Sequence, residues 1–192
     1  MFDLQIEDLS QWAHVIIDVQ KRFASAAEQG EEAEEVARNI ATVKEALNKL
    51  KVATYVVYFK QFNFDHTKSK GGLYAIKLND GDVIVPKTGD SMIKGSDIAT
   101  LLRAAGHSSL LISGFNRGYC VRESVTDSVR EDFNVFVMRD CIGHMKHQEQ
   151  KYSHKHAYDQ MREAGAVITS SQDVIGRFSS TPSGQSTSLS CG

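Results

Sequence analysis

Apolar and polar positions along the chain alternate between two periods. Ala13–Val19 (AHVIIDV) is an almost continuously apolar run interrupted by Asp18, the pattern of a strand buried on both faces. Charged residues dominate from Glu28 to Glu35. Ala33, Val36, Ala37, Ile40, Val43, Leu47 and Leu50 then recur at three- and four-residue steps, which predicts one apolar face of a helix. Thr54–Phe59 (TYVVYF), β-branched and aromatic, predicts a second strand. The polar stretch from Lys60 to Gly72 reads as a long loop, of the length usually reserved for function or mobility.

Asp82–Lys87 (DVIVPK) predicts a third strand, closed by Pro86, which has no N–H for a ladder. Ser96 or Asp97 can cap a helix whose face is Ile98, Leu101, Leu102 and Ala105, with Gly106 as its stop. Leu110–Ile112 begins a fourth strand that passes through Ser113, Gly114 and Phe115 toward Cys120, where Val121, Val125 and Val129 mark a helix. Phe133–Asp140 is the fifth strand. A helix around Ala157–Ala164 stops at Gly165, and Ala166–Thr169 is the sixth strand. Strands alternating with helices imply right-handed crossovers. The expected fold is therefore α/β: a doubly wound, mainly parallel six-stranded sheet with helices on both faces. One domain spans residues 1–178, and the Ser/Thr-rich segment 179–192 has too little to bury for a core, so a disordered or draped tail is expected.

Composition narrows the function classes. With 22 basic and 24 acidic residues there is no field to attract nucleic acid. No apolar run is long enough to cross a bilayer, and no secretory signal is evident, so the expected setting is cytoplasmic. Cys120, Cys141 and Cys191 cannot all pair and show no CxxC spacing, which argues against a disulfide framework or zinc site. Gly114 and Gly118 do not make the GxGxxG of a dinucleotide site.

In doubly wound sheets, ligands bind beyond the carboxyl ends of the strands, where strand order reverses. Asp18, Lys87 and Cys120 all fall on that rim. A thiol at a strand-to-helix turn gains thiolate character from the helix dipole, although a lone cysteine is more often core packing. If the strand order is 3-2-1-4-5-6, Lys87 lies two spacings, roughly 10 Å, from strand one. It must then lean inward from a loop, which Gly89 permits.

Four segments, VIIDVQKRF, VPKTGDSMIKGSD, SGFNRGYCVRESVTD and HAYDQMREAGAVITSSQDVI, resemble the isochorismatase-like cysteine hydrolases, the family of nicotinamidases and carbamoyl-amide hydrolases. The resemblance spans about residues 13–175. It implies a catalytic triad of Asp18, Lys87 and Cys120 that cleaves a small amide or carbamoyl C–N bond through an acyl-thioester. It also implies an oxyanion hole from the backbone amides of Asn116 and Cys120, with a cis Phe115–Asn116 bond, and a dimer or tetramer of identical chains. A small-molecule substrate is the expected partner, without nucleic acid or membrane. Many relatives carry Ala-Thr where this chain has Asn116-Arg117. Arg117 is placed either to clamp a substrate carboxylate or to face solvent. Phe23, Phe115, Asn116, Arg117 and Tyr119 are the candidate substrate contacts, aromatic neighbours of a strand end being as readily core.

No cofactor is expected. The Asp-x-His metal pair of nicotinamidases is missing from Lys60–Asn63, and Asp65 with His66 falls slightly later. His144, His147, His154 and His156 crowd a polar segment that reads as an exposed helix or loop. Asp140 ends strand five on the triad rim and is better placed to cap a turn than to react. Cys191 lies in the tail and is incidental. A binding module that has lost catalysis is the alternative function, kept open by the altered Asn116-Arg117 wall; a nucleotide-binding protein is a third.

Overall fold

A computed structural model describes residues 6, 8–24, 32–62, 76–144 and 154–180. Six strands, β1 (Trp12–Ile17), β2 (Ala53–Phe59), β3 (Val83–Lys87), β4 (Ser109–Phe115), β5 (Asn134–Gly143) and β6 (Val167–Thr169), form one sheet. Its order is β3-β2-β1-β4-β5-β6 and every pair is parallel, as the alternation of strands and helices predicts. The helices are α1 (Lys21–Ala24), α2 (Glu32–Lys49), α3 (Met92–Gly95), α4 (Ile98–Ala104), α5 (Arg122–Arg130), α6 (His154–Ala164) and α7 (Ser171–Ser180).

The continuous apolar run of β1 is explained by its two faces. Val15 and Ile17 pack with Met92, Ile98, Leu102, Val125 and Met161 from α3 to α6. Trp12 and Ile16 pack on the opposite face with Ile40, Val43 and Leu47 of α2 and with Val174 and Phe178 of α7. Each such aliphatic side chain contributes about 1.5 to 3 kcal/mol of burial. Trp12, at the start of β1, lies against Phe136 and Phe178 with ring centroids 4.9 and 5.1 Å away, at the end of the strand opposite Asp18.

Several boundaries differ from the sequence expectation, each for a local reason. β1 stops before Asp18, whose φ of 51° leaves the extended region. β5 runs on to Gly143 because it bulges: Ile112 pairs with Val137, but Gly114 pairs with Ile142. The bulge puts Asp140 at the start of α7, a helix the apolar pattern did not signal. Its Oδ1 accepts the Ser171 N–H at 2.8 Å and its Oδ2 the Ser171 hydroxyl, so Asp140 caps a helix. That helix continues through Ser180, two residues into the stretch read as tail. On α4, Ile98 and Leu102 are buried while Leu101 is 40% exposed, so the face is narrower than predicted. Asp65, His66, His147, Cys191 and the rest of the tail lie outside the described residues.

Gly114 makes the close approach on which the rim depends. Its φ is +134°, and a Cβ there would stand 2.1 Å from the carbonyl oxygen of Ile17. Only glycine lets the ends of β1 and β4 meet at this separation. Asp18 follows one strand end and Cys120 follows the other, so that contact fixes the span between them.

Candidate active site

Asp18 is held beyond β1 by its backbone, its N–H donating to the Val57 carbonyl at 2.9 Å. Its carboxylate and the Lys87 ammonium are both completely buried, with Oδ2 and Nζ 2.8 Å apart. Lys87 reaches it as the last residue of β3 itself, so no inward-leaning loop is needed. The four-carbon stem crosses the intervening strand, and Nζ sits 4.0 Å from the centroid of the Phe59 ring on β2. Gly89 contributes a carbonyl rather than slack: Nζ donates to Gly89 O at 2.9 Å and to Asp90 O at 3.2 Å. The Lys87–Asp18 contact is an ion pair off hydrogen-bond alignment, and neither Asp18 oxygen has a well-directed hydrogen bond among the described residues.

Cys120 lies within a single π-helical turn, Arg117–Val121, that leads into α5. The turn is wound on one acceptor, the Asn116 carbonyl, which receives the N–H groups of Tyr119 at 3.0 Å and Val121 at 3.1 Å. Such wide turns concentrate at functional sites. Asn116 enters it at φ 64° and ψ 82°, a left-handed conformation asparagine tolerates. The described peptide bonds are all trans, so the expected cis Phe115–Asn116 bond is replaced by this reversal of φ.

Charge and burial set the protonation of the pair. Burial is the main cause that lifts the Asp18 carboxyl from 3.8 to about 6, opposed by the Lys87 charge and by the neighbouring Cys120 thiol. Burial also drives the Cys120 thiol well above its ordinary range, and the Asp18 charge pushes it further up while Lys87 pulls it down. The thiolate character expected from a helix terminus is thus reversed: desolvation and the Asp18 and Asp90 carboxylates keep the proton on sulfur. Near neutral pH the proton rests on sulfur, with the carboxylates of Asp18 and Asp90 beside it.

The chain matches the isochorismatase domain over residues 12–173, most of its length. It belongs to the isochorismatase family of hydrolases. A 69-residue stretch is 29% identical to maleamate amidohydrolase of Pseudomonas putida, covering 36% of this chain and 32% of that enzyme. The match therefore spans about a third of that curated relative. Among solved structures, a cysteine hydrolase from Pseudomonas syringae pv. phaseolicola superposes with a TM-score of 0.72 at 18% identity, covering 90% of this chain and 94% of that one. N-carbamoylsarcosine amidase from Thermoplasma acidophilum gives 0.67 at 20% identity, covering 84% and 96%. These two likenesses establish the fold.

Against this isochorismatase frame the remaining site candidates separate. Phe23 is buried beside the Lys87 platform, its ring 6.5 Å from that of Phe59. Tyr119 is half-buried next to Cys120. Phe115 is fully buried, and its ring fills the space a Cβ on Gly143 would need, so it packs beneath the turn and is not an open wall. Arg117 does not face open solvent. It donates from Nη2 to Nδ1 of His144 at 2.8 Å and lies 5.1 Å from the Tyr158 ring. His144 follows β5, while His156 meets Gln160 on α6. Among the described residues no three His, Cys, Asp or Glu side chains converge as metal ligands.

Three residues that contact the candidate site escaped the sequence reading. Gln20, fully buried, accepts the Phe59 N–H at 2.8 Å and donates to its carbonyl at 3.5 Å, continuing the β1–β2 ladder with a side chain. Phe59, held by that clamp, is the platform under Lys87. Asp90 places Oδ1 3.7 Å from Cys120 Sγ. Gln20 and Asp90 stood within the motifs that carry Asp18 and Lys87, two and three residues downstream; only their contacts were invisible.

Proposed function

We propose that this isochorismatase-family chain is a cysteine amidohydrolase that cleaves the C–N bond of a small amide or carbamoyl compound through an acyl-thioester. The observation that carries the reading is a buried Asp18–Lys87 ion pair on the rim beside a protonated Cys120. The substrate classes named for maleamate amidohydrolase and N-carbamoylsarcosine amidase support the bond type.

The steps follow from the protonation states. As substrate enters and excludes water, Asp18 takes the thiol proton while sulfur attacks the carbonyl carbon. The backbone amides of Asn116 and Cys120 receive the oxyanion. Asp18 then returns the proton to the leaving nitrogen, the C–N bond breaks and the amine departs. Water next attacks the thioester, giving its proton to Asp18, and collapse of that intermediate releases the acid and restores the thiol. Lys87 steadies the charge on Asp18 throughout, Phe23 and Tyr119 contact the substrate, and Arg117 forms the outer wall. The enzyme works as a cytoplasmic dimer or tetramer.

A panel of small amides and carbamoyl compounds, followed by ammonia release and by intact mass after rapid acid quench, tests this. At least one compound is turned over, with an acyl adduct on Cys120 that Cys120→Ala lacks. No turnover and no adduct across the panel would replace the enzyme by the binding module.

A further inference from the structure

The geometry points to Asp90 as a specificity-determining residue that makes this site select amides carrying a positive charge near the scissile carbonyl over amides carrying a carboxylate. The inference rests on the amidohydrolase reading and adds a substrate class to it. Asp90 is exposed, yet its Oδ1 accepts from the Cys120 thiol at 3.7 Å, so a group attached to the attacked carbon comes close to its carboxylate. Its backbone is fixed. The Asp90 carbonyl accepts from Lys87 Nζ at 3.2 Å and from the Ser124 hydroxyl at 3.5 Å, while Met92 N–H is bound to that same hydroxyl at 2.9 Å. The loop closes tightly as well: Thr88 N–H donates to Gly95 O at 3.0 Å, and a Cβ on Gly95 would lie 2.8 Å from Gly89 N.

Local charge agrees with this placement. The charges that act most strongly on Cys120 are those of Asp18, Lys87 and Asp90, two carboxylates against one ammonium. Arg117, a cation on the same turn as Cys120, meets His144 and the face of Tyr158. On its outer side Asp90 also borders a depression of about 370 Å³ shared with Thr88, Ser91, Lys94, Glu123 and Asp127. Lys94 is already paired there with Asp127 at 2.8 Å. A cationic group bound against the thiol gains a partner in Asp90, and an anionic one meets repulsion.

Two measurements on the full chain test the inference. In the first, kcat/KM for ammonia release is compared for β-alaninamide, butanamide and succinamate, which share a two-methylene spacer to the amide and differ in the charge of the terminal group. The wild type favours the cationic over the anionic amide by at least about tenfold, as for unit charges some 6 Å apart in a half-wet cleft, and Asp90→Asn brings the ratio to within about threefold. In the second, Cys120 is modified with 2-aminoethyl and 2-sulfonatoethyl methanethiosulfonate and the rates are read by peptide mass mapping. The cationic reagent is favoured in the wild type, and the preference collapses in Asp90→Asn. A cation-to-anion ratio that is the same in Asp90→Asn as in the wild type, or a wild-type preference for the anion, overturns the inference. The thiol measurement does not depend on hydrolysis, so an Asp90-dependent ratio with no amide turned over condemns the amidohydrolase reading alone.

Discussion

Asp18→Asn should disable the site and stabilise the protein, and both effects can be sized. Asparagine keeps the shape of a protonated aspartate and cannot accept the thiol proton. Loss of a general base costs about 10²- to 10⁴-fold, so kcat/KM falls by at least that range. The stability effect follows from the carboxyl being raised from 3.8 in the open chain to about 6 when buried. Between those values the folded protein holds a proton that the unfolded chain has lost, so stability declines as pH rises from about 4 to 6. The deficit above pH 6 is ~3 kcal/mol. The attraction of Lys87 is already counted in the value of about 6, because the protonated acid leaves the ammonium equally without a countercharge. The variant should therefore match the wild type at pH 4 and exceed it by up to ~3 kcal/mol at pH 7.5 in urea unfolding followed by circular dichroism. Wild-type kcat/KM should rise through pH 6 and level off above it. Lys87→Met removes the favourable charge, lifts the carboxyl further and moves that rise to higher pH. An asparagine variant that keeps its activity, or is no more stable than wild type at pH 7.5, would refute the account of Asp18 as a buried base charged at the expense of stability.

Two further outcomes concern the frame of the site. His14 is completely buried on β1, bonded through Nε2 to the Ser113 hydroxyl at 2.9 Å, and burial lowers it from 6.5 to about 3. The unfolded chain takes up that proton first, so stability is lost as pH falls from about 6.5 to 3, by ~5 kcal/mol. His14→Gln should flatten this acid limb in unfolding measured across the same window, and an unchanged slope would count against the assignment. Gly114→Ala forces a Cβ to 2.1 Å from Ile17 O at φ +134°, and should cost ~4 kcal/mol or more. Thermal melting reads it directly; a variant melting within a few degrees of wild type would mean the β1–β4 contact can relax.

What the sequence disclosed follows from which forces are local. Apolar periodicity placed all six strands, because β1 and β4 are buried on both faces and cannot hide their pattern. The positions of Asp18, Lys87 and Cys120 on one rim were legible as strand ends, and a family resemblance proposed them as a triad. The register shift at Gly114 was not legible, since a bulge depends on how two strands slide past each other; Asp140 was expected to cap a turn, but the helix α7 that it caps was not foreseen. Protonation was misread at Cys120 because a helix terminus is visible in sequence and desolvation is not. Phe115 looked like a pocket residue for a similar reason: its nearness to Cys120 in the chain says nothing of Gly143, onto which it folds.

Lys87 is held by hydrogen bonds to two carbonyls, those of Gly89 and Asp90, and by its ion pair with the Asp18 carboxylate. On the proposed route an acyl group is carried on sulfur within the same small enclosure as this amine. A thioester beside a primary amine ordinarily risks transfer to nitrogen, which would leave a permanent amide and a dead enzyme. An amine kept as an ammonium by two carbonyls and a carboxylate offers no lone pair for that side reaction. On that proposed route the Gly89–Asp90 turn would act as a safeguard against self-acylation, and its upkeep would bear on how many turnovers a molecule survives as well as on how fast each one runs.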